Sequence, residues 1–189
     1  MSPIGTRQKL LDAAEDLLDD GGPAAVTLRE VGRRGGVSHN APYKHFSSKE
    51  RLLAELAARE MTRLQEKLVE DRAAGLDAAT AVTRSVREQV TRAVAHPERY
   101  RLIYGRWDST DLVDRVAVES SALFAQTVAD AQAAGAIAAG DPERIAALLR
   151  AVVRGAAELQ SAGHLAADGK GRADAIDLVD DLLSLLRLS

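Results

Sequence analysis

Residues 27–51 read TLREVGRRGGVSHNAPYKHFSSKER. Thr27-Leu28-Arg29-Glu30 has the spacing of a capping box, in which a Thr hydroxyl takes the amide three residues on and a Glu reaches back to the cap amide. It predicts a helix with Leu28 and Val31 facing inward, stopped at Gly35-Gly36. A second helix is expected from an N-cap at Ser38 to about Phe46. Ser47-Ser48-Lys49-Glu50 repeats the box and opens a long helix to about Arg72. Helix starts this close together leave only short connections, so the helices must pack at steep angles.

Upstream, Leu10, Ala14, Leu17 and Leu18 recur at helical spacing, and Gly21-Gly22-Pro23 ends that helix near Asp20. Downstream, apolar stripes predict helices over about 77–95, 97–105, 110–134, 142–162 and 172–188. The count is about nine helices with no strand-like alternation. Hydrophobic residues make up 46% and aromatics only 3%, a core of Ala, Leu and Val that favours packed helices over a sandwich. The fold class is therefore all-α. A three-helix head carrying the helix-turn-helix is expected over residues 1–54, and a larger helical body over 55–189.

The absence of cysteine excludes a disulfide framework and thiolate metal sites. No apolar run approaches the roughly 20 residues of a membrane span, and the acids within MSPIGTRQKLLDAAEDLL are unlike a signal peptide. A cytoplasmic protein without membrane contact is expected. The net charge is −3, yet residues 27–51 hold six basic side chains against Glu30 and Glu50, a local +4. Local charge decides nucleic-acid contact.

A recognition helix enters the major groove by its N-terminal end. Ser38, His39, Asn40 and Ala41 occupy that end here, with Asn40 suited to adenine and His39 to guanine or phosphate. Tyr43, Lys44 and His45 are long enough to reach flanking phosphates, and Lys44 a guanine. Lys49 and Thr27 sit at helix starts, where free amides favour an anion.

The order of box, glycine turn, polar helix and box resembles the tetracycline-repressor (TetR) family of transcription regulators over residues 6 to 55. The family's Val-Ala-x-x-Ala-Gly-Val-Ser core is similar to Val31-Gly32-Arg33-Arg34-Gly35-Gly36-Val37-Ser38, and its Tyr-x-His-Phe-x-x-Lys-Glu signature to Tyr43 through Glu50. The resemblance implies phosphate contacts by Thr27, Tyr43, His45 and Lys49. It implies base-edge contacts by Ser38, His39, Asn40 and Lys44, with Phe46 as a core anchor. Gly32 and Gly35 replace alanines of the family, and each costs about 0.5–1 kcal/mol of helix propensity. They predict either a softer helix or the close approach of another. His96-Pro97-Glu98-Arg99-Tyr100-Arg101-Leu102 resembles a segment of one subgroup. That subgroup's Trp and His on the next-to-last helix are replaced here by Arg150 and Arg154, while Gly155 is kept.

The body carries no catalytic constellation, no HExxH pair and no phosphate loop, so neither an enzyme, a metal nor a cofactor is expected. Its aromatic residues, Tyr100, Tyr104, Trp107 and Phe124, suit the wall of an apolar small-molecule cavity as well as a plain core. Gln89 and Gln126 fall near inward faces and could orient a ligand. Arg150, Arg154 and Glu158 form a row in which Arg154 is a candidate partner for an anionic ligand and an ion-pair row is the plainer reading. Ala146, Leu149, Val153, Ala156 and Ala157, with Ile176, Val179, Leu182, Leu183 and Leu186, supply stripes for the core and for a homodimer interface. The expectation is a ligand-responsive homodimeric repressor. It would be released from a palindromic double-stranded DNA operator by a small-molecule effector. A DNA-binding regulator with no effector is the alternative.

Overall fold

The structure, a computed structural model, describes residues 5–107 and 111–187. Among them nine helices follow in order: α1 (Thr6–Ala25), α2 (Leu28–Arg34), α3 (Ala41–His45), α4 (Lys49–Ala73), α5 (Ala78–Ala95), α6 (Pro97–Leu102), α7 (Asp111–Ala133), α8 (Pro142–Ser161) and α9 (Ala175–Leu186). The chain is all-α, as its periodicity requires.

Most helix ends follow their local chemistry. Gly21 and Gly22 leave helical geometry inside α1, Gly22 with φ 65°, so the regular helix stops at Asp20 and Pro23 starts a separate turn. Asp77 caps α5 by accepting the Thr80 amide at 2.9 Å, and Asp141 caps α8 through the Glu143 amide at 2.9 Å. Two starts move. Ser38 does not cap α3, because a helix from Ser38 would need an N–H at Pro42, which has none. The Ser38 carbonyl takes the Ala41 amide at 2.9 Å instead, and α3 shrinks to five residues. The last helix begins at Ala175 rather than Arg172. Asp174 accepts the Ile176 and Asp177 amides while Asp177 reaches back to the Asp174 amide, closing a capping box. The expected helix limits at Thr110 and Leu188 lie outside the described residues.

The chain divides into two compact units, Met1–Glu60 with Glu98–Arg115, and Met61–Pro97 with Val116–Ser189. The first unit packs Leu10, Leu17 and Leu18 of α1, Val31 of α2, Phe46, and Leu52 and Leu56 of α4 into one core. Each such side chain contributes about 1.5–3 kcal/mol by leaving water. Leu102 of α6 joins this core and Trp107 packs against it, so the head takes in a segment from beyond its expected end at residue 54. Arg99 fixes that segment. It holds Asp19 through two hydrogen bonds of 2.6 and 2.8 Å and reaches buried Glu15 at 3.1 Å. Arg59 of α4 approaches the same α1 carboxylates, Asp12 at 2.6 Å and Glu15 at 3.4 Å.

In the second unit α5, α8 and α9 pack pairwise. Val82, Val86 and Val90 of α5 are buried, as are Ala146, Leu149 and Val153 of α8 and Val179 and Leu183 of α9. Ala156 and Ala157 are buried too. The stripe expected to serve both core and interface is thus largely core. The outward face of α8 is one residue out of phase with it: Ala147, Leu148, Ala151, Gly155 and Leu159 are exposed, and Leu185 of α9 is 82% exposed. Arg72–Asp130 (2.9 Å) ties α4 to α7, Arg84–Asp71 (3.1 Å) ties α5 to α4, and Arg87–Asp180 (2.5 Å) ties α5 to α9.

Removing a partner from a buried ion pair strands the other charge. Arg99→Ala is therefore expected to lower the unfolding free energy by about 3 kcal/mol. Arg34→Ala, which breaks a largely exposed pair with Asp20, should cost about 1 kcal/mol or less. Urea unfolding of the two variants checks the difference.

Candidate nucleic-acid interface

The expected DNA-contacting residues lie in the first unit and, except for half-buried Lys49, they are exposed: Thr27, Ser38, His39, Asn40, Tyr43, Lys44 and His45. Their foundation is Phe46, 2% exposed within the core, with the Arg7 guanidinium over its ring at 5.7 Å. Burying Phe46 directly after α3 turns the preceding turn of helix outward. Tyr43 is 54% exposed, and its ring meets His39 edge-on at 6.0 Å. The two residues form one aromatic surface on the reading segment.

The helix starts that flank this surface are built as donors. The Thr27 hydroxyl accepts the Glu30 amide at 3.2 Å. The second half of the expected box is replaced: Glu30 turns to Arg33, whose Nε and Nη2 donate at 2.9 and 2.5 Å. Those bonds hold the Glu30 carboxyl below the usual carboxylate range. At α4 the cap is Ser48, one residue after the expected Ser47. Its hydroxyl accepts the Arg51 amide at 3.2 Å and its carbonyl the Leu52 amide. Glu50 is held below its ordinary pKa, first by its own backbone amide and then by the Ser48 hydroxyl.

Tyr43, Lys44, His45, Ser47 and Arg51 line a cleft of about 290 Å³ with Phe46 and Glu55. Arg51 was counted in the local charge but not among the contacts. It lies in the first turn of α4, on the cleft shared with Tyr43 and Lys44, and adds a basic group to the face that carries the expected contacts. The glycines settle the question of softness against close approach. A Cβ on Gly32 would stand 2.8 Å from Pro42 Cγ, and one on Gly35 would stand 3.3 Å from the Lys9 carbonyl. Helices α1 and α3 both press on α2 at its glycines.

The residues proposed for a ligand are divided between the units. Tyr100, Tyr104 and Trp107 belong to the first. The hydroxyls of buried Tyr100 and half-buried Tyr104 are 3.3 Å apart, and Trp107 Nε1 donates to the Leu102 carbonyl at 3.0 Å. Gln89, Phe124 and Arg154 belong to the second. Gln89 and Phe124 are buried, whereas Arg154 is exposed. The arginine that reaches Phe124 is Arg150, 5.9 Å above the ring. Gln126 is exposed and donates to Asp130 at 2.8 Å, so it orients nothing inward. Among the described residues no group of His, Asp or Glu is placed to hold a metal, and no helix is long and apolar enough to cross a membrane.

Residues 10–56 match the family described as bacterial regulatory proteins, tetR family, and residues 81–186, more than half of the chain, match the tetracyclin repressor-like C-terminal domain. An HTH-type transcriptional repressor of Mycobacterium tuberculosis is 39% identical over 44 residues, which span 23% of this chain and 23% of that protein's length. A protein of unknown function from Rhodococcus sp. RHA1 has a similar structure, with TM-score 0.81, 32% identity and coverage of 98% of this chain and 96% of that one. AibR in complex with isovaleryl coenzyme A and operator DNA shares the fold at TM-score 0.69 and 15% identity, over 96% of this chain and 98% of that chain.

Gly32→Ala tests the packing beneath the interface. Helix propensity favours Ala by about 0.5–1 kcal/mol, but the added methyl overlaps a rigid proline ring. Overpacking of that kind costs about 1–3 kcal/mol, so a net loss of stability is expected in thermal unfolding. A variant at least as stable as the parent would show that Pro42 gives way.

Proposed function

The chain belongs to the tetR family of bacterial regulatory proteins, and on that footing we propose that it is a homodimeric transcriptional repressor that a small-molecule effector releases from a palindromic operator. The observation that carries the reading is the exposed His39–Tyr43 surface, with Ser38, Asn40 and Lys44 beside it, raised on buried Phe46. Thr27, Tyr43, His45 and Lys49 grip phosphates and fix the register. Ser38, His39, Asn40 and Lys44 read base edges.

The outward face of α8 supports the dimer. Ala147, Ala151 and Gly155 are small enough for close helix approach, and Leu148 and Leu159 supply apolar area. A two-fold pair of heads then meets half-sites a fixed distance apart. The effector binds in the second unit, where Gln89 and Phe124 offer a polar handle and an aromatic wall. Helix α4 starts beside the reading segment at Lys49 and ends at Ala73, with its second part in the second unit. An effector that favours one placement of α4 lowers operator affinity by its differential affinity for the two states.

The test is DNA binding by the full chain to duplexes selected from a random pool, over a range of salt. Tyr43→Ala and Lys49→Ala are each expected to weaken binding to all sequences, Lys49→Ala with a salt slope smaller by about one. His39→Ala and Asn40→Ala should change which duplexes are preferred, by about 1–3 kcal/mol at the affected base pair. Binding unchanged in all four variants would overturn the assignment.

A further inference from the structure

Arg59, Arg99 and Arg150 are all half-buried, and two of them are tied to carboxylates. Arg150 is not. Among the described residues it takes no carboxylate. Its Nη1 donates to the Ser121 hydroxyl at 3.2 Å, and its guanidinium lies 5.9 Å from the centroid of the buried Phe124 ring. Ser121 and Phe124 are three residues apart on α7, so they share a face, and Arg150 reaches them from α8. The ring and the hydroxyl orient the guanidinium and use one of its five N–H groups. The remaining donors keep the planar fork that matches a carboxylate.

We propose that Arg150, Ser121 and Phe124 form an anion subsite in the second unit, and that the effector is a carboxylate with an apolar body. Arg150 binds the carboxylate through two parallel N–H bonds. The Ser121 hydroxyl, which accepts from Arg150, has its own proton to donate to the same anion. Phe124 covers the carbon next to it. This places the charge at Arg150 and not at Arg154, whose side chain is exposed. The inference rests on the effector-binding reading of the second unit, and it leaves the DNA-binding reading untouched.

The experiment is calorimetric titration of the full chain with straight-chain carboxylates from butanoate to dodecanoate and with benzoate. Each is matched by its neutral primary amide, and inorganic phosphate is a further arm. At least one carboxylate is expected to bind about tenfold or more tighter than its amide, the worth of hydrogen bonds to a charged group. Arg150→Gln should abolish that preference. Arg150→Lys, which keeps charge but loses the fork, should retain only part of it, and Ser121→Ala should lower it by a smaller factor. These two variants keep the test decisive if the Gln variant does not fold. No discrimination in any pair, discrimination that survives all three variants, or phosphate binding as tightly as the best carboxylate would each overturn the proposal. So would sedimentation showing that Arg150→Gln separates copies of the chain, because the partner of Arg150 would then be another subunit. Wild-type DNA binding, lost or kept at Tyr43 and Lys49, reports separately on the head.

Discussion

A carboxylate in the interior must meet a cation or lose its charge. Glu15 is only 6% exposed on α1, and the cations that meet it come from Arg59 on α4 and Arg99 on α6. Those residues stand 44 and 84 positions downstream. Satisfying one buried group therefore brings three helices together, and two of them arrive from outside the first three helices of the head. Asp12 and Asp19, one turn to either side of Glu15, take further donors of the same arginines, while Arg59 Nη1 is buried with no hydrogen-bond partner among the described residues. The arrangement constrains orientation, because the arginines of α4 and α6 must both reach carboxylates carried on α1.

The reading segment inherits that orientation. Helix α2 is pressed from both sides at its glycines, Gly32 by Pro42 and Gly35 by the backbone near Lys9. Ala at Gly32 would have been the better helix former, whereas Gly35 stands at the C-cap of α2. The loss of propensity is offset by contact, because a glycine lets two helix backbones approach where any Cβ would intervene. Pro42 then does two things. It fills the space beside Gly32, and by lacking an N–H it forces residues 38–40 into a turn. His39 and Asn40 are thus presented from a turn braced by Tyr43 rather than from a helical face.

What was legible in the sequence was what local chemistry decides. Thr27, Asp77 and Asp141 cap their helices because an oxygen and an amide two or three residues away need no distant partner. The role of Phe46 was legible through the family resemblance, and its burial to 2% exposure agrees with it. The start at Ser38 and the start at Arg172 were misplaced where a second local group, Pro42 or the Asp174–Asp177 box, overrode the first. The apolar stripe of α8 was visible, but periodicity cannot say which flank of a stripe meets the chain's own core, and the outward face differs by one residue. The surroundings of Arg99 and Arg150 were beyond reach for a third reason. They are set by residues more than twenty-five positions away.

The acidic net charge and the basic reading surface are reconciled by where the acids go. Around the head, Asp12, Glu15, Asp19, Asp20, Glu30 and Glu55 are each paired with an arginine, respectively Arg59, Arg59 and Arg99, Arg99, Arg34, Arg33 and Arg7. Glu50 is occupied by its own helix start. Among the described residues Arg29, Lys44, Lys49 and Arg51 are left with no carboxylate partner. The pairing consumes Arg33 and Arg34 but also neutralises these acids of the head. On the proposed DNA-binding reading, those four cations and the amides at the start of α4 give this surface a local sign opposite to that of the whole chain.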